Sequence, residues 1–261
     1  MTNAARNPTI LPAPGRPAGI FLTAEWRDLV MASWEVDPSI LRARVPPGTE
    51  LDQWKGRAFV SLVGFRFLGT KVLGIPIPFH RDFDEVNLRF YVKRAVDGEE
   101  RRGVVFIKEI VPRFWIVAVA RLVYGENYVS RKMMNRAARG AESLSTGAAG
   151  CHHEYRWRDR GRWNGLEADA SGSPEIPEDG SLEQFIAEHY WGYTARSRGT
   201  VEYQVEHPSW RVWNCAAAEV DCDAAGIYGA SLAEPMSRPP DSVFLAEGSG
   251  VVVRKGRRLS A

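Results

Sequence analysis

Residues 85–93, EVNLRFYVK, constrain the fold more than any other stretch of the chain. Side chains alternate through it with a period of two. Glu85, Asn87, Arg89 and Tyr91 therefore share one face of a strand, and Val86, Leu88, Phe90 and Val92 share the other. Asp97-Gly98 then turns the chain, and residues 103–111 (GVVFIKEIV) supply the partner strand of a hairpin. Residues 58–67 (AFVSLVGFRF) alternate and carry rings, which adds a third strand.

Elsewhere the pattern is shorter. Residues 25–35 (EWRDLVMASWE) suit either a strand or a buried helix, because their β-branched content is low. Asp37 caps a helix with Pro38 at its first position, and Pro46-Pro47-Gly48 stops it. Residues 71–79 (KVLGIPIPF) carry two prolines and suit an edge or an apolar loop. Pro112 opens an apolar helix through about Tyr124, ended by Gly125, and Lys132 falls on a surface helix. Further strands are expected around 151–158, 163–170, 194–207 and 251–255, the third turning at Arg198-Gly199. Residues 171–180 form a loop, and 181–189 a short helix capped by Ser181. With prolines at 8, 12, 14 and 17, residues 1–19 read as a flexible lead-in to a single domain over 20–261.

Length and charge set bounds. A chain of 261 residues can bury a sizeable core, and a formal net charge of +2 argues against an electrostatic nucleic-acid binder. No window reaches the ~18 apolar residues that would span a membrane. Three cysteines, Cys151, Cys215 and Cys222, are too sparse for a disulfide framework and suit a reducing, cytoplasmic setting. No cofactor is expected, since neither a phosphate-binding loop nor a dinucleotide fingerprint occurs. No metal is expected either: Cys151-His152-His153 are adjacent on a strand and point to opposite faces. Gly248-Ser249-Gly250 lacks the pattern of a serine nucleophile. His189 and His207, each within an aromatic cluster, are the better proton-transfer candidates among the histidines.

The order of the segments EWRDLVMASWEVDPSIL, PPGTELDQWKGRAFVSLVGFRF, FDEVNLRFYV, ARLVYGENY, EHPSW and PDSVFLAEGSGVVV resembles the DUF2071 (YqjF-like) family, a branch of the acetoacetate decarboxylase-like superfamily. The match spans roughly residues 21–258. It implies a mainly β (α+β) fold: a bent antiparallel β-barrel or cone with a few short helices, enclosing a cavity. Set against the decarboxylases, Arg27 falls where they carry a pocket arginine and Glu85 where they carry a glutamate. Tyr128 and Val129 fall on their lysine pair, and Ser61 on a further glutamate.

A Schiff-base decarboxylase needs an amine that becomes an iminium. A phenol, with a reference pKa of about 10, can pass a proton but cannot form one. Lys108 is the substitute to consider, since alternation puts it on one face with Phe106 and Ile110; the favoured reading is a strand lysine that faces water or pairs with Glu85 or Glu109. Arg27 and Glu85 suit either a substrate-binding pair or a buried ion pair. The expected function is binding of a small organic acid or amphipathic ligand in a cavity lined by Arg27, Glu85, Asn87, Arg89 and Tyr128. One alternative is an imine-independent lyase or isomerase on a keto or hydroxy acid, with Tyr128 as acid and Glu85 as base. The other is a structural, partner-binding barrel with a filled core. Residues 72–79 offer an apolar segment that the barrel mouth or another copy can cover, which is compatible with a homo-oligomer.

Overall fold

The computed structural model describes residues 18–77, 81–112, 127–142, 149–197 and 199–259. The proline-rich start before residue 18, the apolar helix expected after Pro112, and Arg198 of the expected turn lie outside the described residues.

The ambiguous first segment is a strand, β1 (Ile20–Val36). It ends where Asp37 accepts a hydrogen bond from Ser39 N at 2.7 Å and Pro38 opens α1 (Pro38–Arg42). Next come β2 (Glu50–Leu51), β3 (Ala58–Val72) and β4 (Ile75–Pro76). Among the described residues β4 pairs only with the end of β3, so the two-proline segment does form an edge, and Leu73 and Ile75 stay exposed. β5 (Phe83–Val96) and β6 (Glu99–Val111) make the long hairpin. Its turn residues Asp97 and Gly98 take φ of 50° and 83°, the left-handed pair that a two-residue connection requires.

β7 (Tyr128–Ser130) lies parallel to β6 and leads into β8 (Lys132–Glu142). Lys132 thus begins a strand rather than lying on a surface helix, because its backbone joins the ladder of β9 (Ala149–Asp159) opposite Arg158. β10 (Arg162–Ser171) follows, then α2 (Leu182–Ala187), whose cap Ser181 accepts from Gln184 N at 3.1 Å. β11 (Trp191–Arg196) and β12 (Gly199–Glu206) form the expected hairpin. The chain closes with β13 (Val212–Asp221), α3 (Ala224–Tyr228), a 3-10 turn (Ala230–Leu232), α4 (Ala233–Ser237), β14 (Ser242–Arg254) and β15 (Arg257–Arg258).

The strands β12, β11, β6, β5, β3, β1 and β14 are neighbours in that order, and β12 also meets β14 at Val205 opposite Val253. The result is a strongly bent, mostly antiparallel sheet curled around a central space, with parallel pairing only of β6 with β7 and β11 among the described strands. Beyond β14 the sheet continues through β13, β10, β9 and β8. This wing lies over the outer face of β1, β3 and β5. Val30, Leu62, Val86 and Leu88 there form one core with Tyr155, Trp157 and Leu166 of the wing. A Cβ on Gly64 would sit 2.6 Å from the Tyr155 ring, so glycine is what lets the two layers seat. Inward-facing Leu29, Met31, Val63, Phe65 and Tyr91 belong to a second core that borders the central space. Among the described residues no helix is long and apolar enough to cross a membrane.

Candidate functional site

The central space is a cavity with about 1150 Å³ free of atoms, counting the part open to solvent. Trp26, Phe65, Phe67, Phe83, Phe106 and Trp210 give it an aromatic wall. Phe67 and Phe83 stack at 4.5 Å, and Trp26 meets Phe65 edge-on at 5.2 Å. Against this apolar wall stands one polar strip, the inward face of β5, which carries Glu85, Asn87 and Arg89 in succession.

Glu85 is 2% exposed. Its Oε1 accepts from Asn87 Nδ2 at 2.9 Å, and its Oε2 accepts from the Tyr128 hydroxyl at 3.2 Å. Burial pushes the carboxyl up to about 7, against the opposing pull of Asn87, Tyr128 and the nearby Arg89 guanidinium. At neutral pH the group is therefore poised between acid and carboxylate. Tyr128 reaches it because the parallel pairing of β7 sets Tyr128 beside Glu109 of β6. Arg89 donates through Nη2 to Ile186 O at 3.3 Å and lies 5.9 Å from the Tyr91 ring centre.

Alternation fails at one place in the site, and the failure matters. Leu88 pairs with Lys108 but Arg89 pairs with Phe106, so Ile107 is an extra residue in β6. This bulge puts Val104, Phe106 and Glu109 on the cavity side. Lys108 falls on the other side, where its Nζ donates to Ile227 O. Phe106 and Lys108, expected on one face, are therefore on opposite faces, and the buried Glu109 takes the inward position that the lysine would have held. Sequence reasoning had Glu109 only as a partner for that lysine; nothing in GVVFIKEIV marks the extra residue.

Arg27 is corrected as well. Trp26 takes the inward position, so its neighbour faces outward beside Glu25, whose Oε2 accepts from Arg27 Nε at 2.9 Å. Arg27 is not among the lining residues and does not face Glu85. Ser61 is buried away from the cavity in a chain of hydroxyls, 2.7 Å from Ser33 Oγ and 2.6 Å from the Tyr91 hydroxyl.

Both histidines singled out from the aromatic clusters line the cavity. His189 Nε2 lies 3.0 Å from Asp52 Oδ2, which also accepts from Arg102 Nε at 2.7 Å. Burial, aided by Arg102 and Arg89, pushes the imidazole down to about 4 although Asp52 opposes it. Burial alone would raise Asp52, but its bonds to His189 and Arg102 outweigh that and hold it down at about 2. The pair is thus a carboxylate facing a neutral ring, so Nε2 carries the proton. His207 Nδ1 lies 2.9 Å from Pro208 O, its ring stacks on Trp210 at 4.1 Å, and burial lowers it to about 4. The contact of Asp52 with His189 is the one most hidden from sequence reasoning, since 137 positions separate the two residues.

Metal-ligating groups meet elsewhere. His152, Glu167 and Asp169 on the wing bring three ligand atoms within 4.8 Å of one another, the one such group among the described residues. His152 Nδ1 already lies 3.2 Å from Asp169 Oδ1 in a partly exposed patch outside the cavity.

The chain is similar to known proteins in sequence and in fold. "Uncharacterized protein YqjF" of Bacillus subtilis (strain 168) is 30% identical over 217 residues, 81% of this chain and 84% of that protein. The enduracididine biosynthesis enzyme MppR, solved with pyruvate, superposes with a TM-score of 0.64 at 17% identity over 97% of this chain and 95% of its own. Acetoacetate decarboxylase from Legionella pneumophila subsp. pneumophila gives a TM-score of 0.61 at 15% identity over 100% and 98%. These two likenesses establish a shared fold. Residues 23–250 match DUF2071, described as an uncharacterized conserved protein, and the chain belongs to that family, built on the acetoacetate decarboxylase-like fold.

Proposed function

We propose that the protein binds a small organic acid with an apolar or aromatic body in this cavity, and that it does so without forming an imine. The observation that carries the reading is a set of buried polar atoms with no hydrogen-bond partner: Trp26 Nε1, Asn87 Oδ1, Arg89 Nε and His189 Nδ1. All four residues line the same cavity. A buried polar atom left unmatched costs about 1–3 kcal/mol, so four residues that carry such atoms and line one apolar-walled space support a recognition site. Arg89 supplies the positive charge for a carboxylate. MppR, with the same fold, was solved with the oxo acid pyruvate. The open space between the aromatic wall and the β5 polar strip weighs against a structural barrel with a filled core.

Imine chemistry lacks its amine. Lys108 is directed to Ile227 O, and the other lysines of the chain, at 55, 71, 93, 132 and 255, are not lining residues either. Incubation with pyruvate or acetoacetate and borohydride is expected to leave the intact mass unchanged; a stable adduct on any lysine would sink this part of the reading. Calorimetric titration with phenylacetate tests the binding itself. Arg89→Met is expected to weaken it at least about tenfold, the loss of one hydrogen bond to a charged group. An absence of heat with phenylacetate and with other small carboxylic acids would overturn the proposal.

A second reading is favoured by one feature, the Glu85 carboxyl held up at about 7 with a phenol 3.2 Å away. Groups tuned to neutrality suit proton transfer. An imine-independent lyase or isomerase acting on the same bound acid would use Tyr128 and Glu85 as acid and base. Turnover across a panel of keto and hydroxy acids, lost in Tyr128→Phe and Glu85→Gln, distinguishes it from binding alone.

A further inference from the structure

Arg89 and His189 both line the cavity and both lie against Tyr91. The Arg89 guanidinium lies 5.9 Å and the His189 ring 4.6 Å from the Tyr91 ring centre. Arg89 also grips Ile186 O, in the helix that leads to His189. Each leaves one buried polar atom without a partner, Arg89 Nε and His189 Nδ1. The first is a donor. The second is an acceptor, because Asp52 and Arg102 fix the imidazole from behind: a carboxylate 3.0 Å from Nε2 requires the proton on Nε2 and leaves the lone pair on Nδ1. His189 is 6% exposed, so water from bulk does not reach that lone pair freely.

We propose that Arg89 and His189 form a subsite for 2-hydroxy acids, Arg89 taking the carboxylate and His189 Nδ1 accepting a hydrogen bond from the 2-hydroxyl. The assignment rests on the cavity being an acid-binding site and adds the chemistry next to the carboxylate. A 2-oxo acid offers only lone pairs there, which would face the lone pair of Nδ1, so the site discriminates against it. The chain therefore differs in ligand class from the MppR structure that shares its fold and holds pyruvate. Sites built to bond a hydroxyl reject analogues that lack it far more strongly than apolar pockets reject a missing methylene. Asp52 acts through the ring and is a positioning residue.

Three probes of equal charge and similar bulk test this by calorimetry: mandelate, its O-methyl ether and phenylglyoxylate. The wild-type protein is expected to bind mandelate at least about tenfold more tightly than either of the others. His189→Phe removes the acceptor and should level the three affinities. Asp52→Ala removes the acceptor that holds the ring proton on Nε2, so the mandelate preference should shrink toward that of His189→Phe, whereas Asp52→Asn, whose amide oxygen in the place of Oδ2 can accept from both Arg102 Nε and His189 Nε2, should keep it. A merely structural role for Asp52 would lower all three affinities together, and that result would count against its positioning role. Circular dichroism confirms that each variant is folded. Acids that bind the wild type without preference, or a mandelate preference that survives in folded His189→Phe, overturn the subsite while leaving the acid-binding cavity standing. Failure of all three to bind overturns both.

Discussion

Glu85→Gln is expected to stabilise the protein above pH 7 and to leave its stability unchanged below about pH 4.5. The buried carboxyl of the folded chain holds its proton up to about 7, whereas its ordinary value is 4.5. Between these values the folded state binds more protons than the unfolded one, so stability falls as pH rises through the window. A gap of this width corresponds to about 3 kcal/mol, present below the lower value and lost above the upper one. Glutamine has no charge to bury. Its oxygen accepts from Tyr128, and its NH₂ can donate to Asn87 Oδ1, which has no partner in the wild type. His189 and His207, both lowered by burial from 6.5 to about 4, act with the opposite sign. The stability they contribute is present above pH 6.5 and lost as pH falls toward 4. Because variant and wild type share them, they cancel in the difference. Urea denaturation at pH 4.5 and pH 8 measures it, and a difference independent of pH would refute the account.

The second large effect lies away from the cavity, at Glu202 of β12. This carboxylate is fully buried and gathers three arginines: Arg94 at 3.2 Å, Arg101 at 2.9 Å and Arg257 at 2.7 Å. The Tyr193 hydroxyl adds a hydrogen bond at 3.1 Å. These partners come from β5, β6, β11 and β15, so one side chain fastens the end of the curled sheet. Glu202→Gln removes the only negative charge of the group. Arg94 and Arg257 are exposed enough to turn toward water, but Arg101, at 5% exposure, is not. Breaking a buried pair from one side typically costs about 3–5 kcal/mol. The expected result is a loss of that size in denaturant unfolding, partly recovered by adding Arg101→Met. A loss below about 1 kcal/mol, or no recovery in the double variant, would show that the cluster is not what holds this end.

The polar strip of the cavity was legible in the sequence because it lies on one strand. Alternation alone groups Glu85, Asn87 and Arg89, and the Asp97-Gly98 turn and the Asp37 and Ser181 caps are equally local. What was not legible depends on distant partners or on an extra residue. The strand over Val212–Asp221 and the placement of Lys132 are decided by neighbours in the wing rather than by local pattern. The pairing of His189 with Asp52 needs α2 to be packed beside the turn after β2. The transfer of Arg27 to the cavity failed because Trp26 holds the inward place. Phe106 and Lys108 parted company because a strand can absorb one residue without any compositional sign.

That extra residue, Ile107, decides which functional group the cavity inherits. β6 carries an amine and a carboxyl side by side at Lys108 and Glu109, and only the position of the bulge determines which of them faces inward. If the same extra residue were taken up beyond Val111 instead, plain alternation would swing Lys108 into the cavity and Glu109 out of it, with the composition of the strand unchanged. Descendants of one ancestral sheet could therefore trade a proton-handling interior for an amine-bearing one by sliding an insertion along a strand, without replacing any residue of the site.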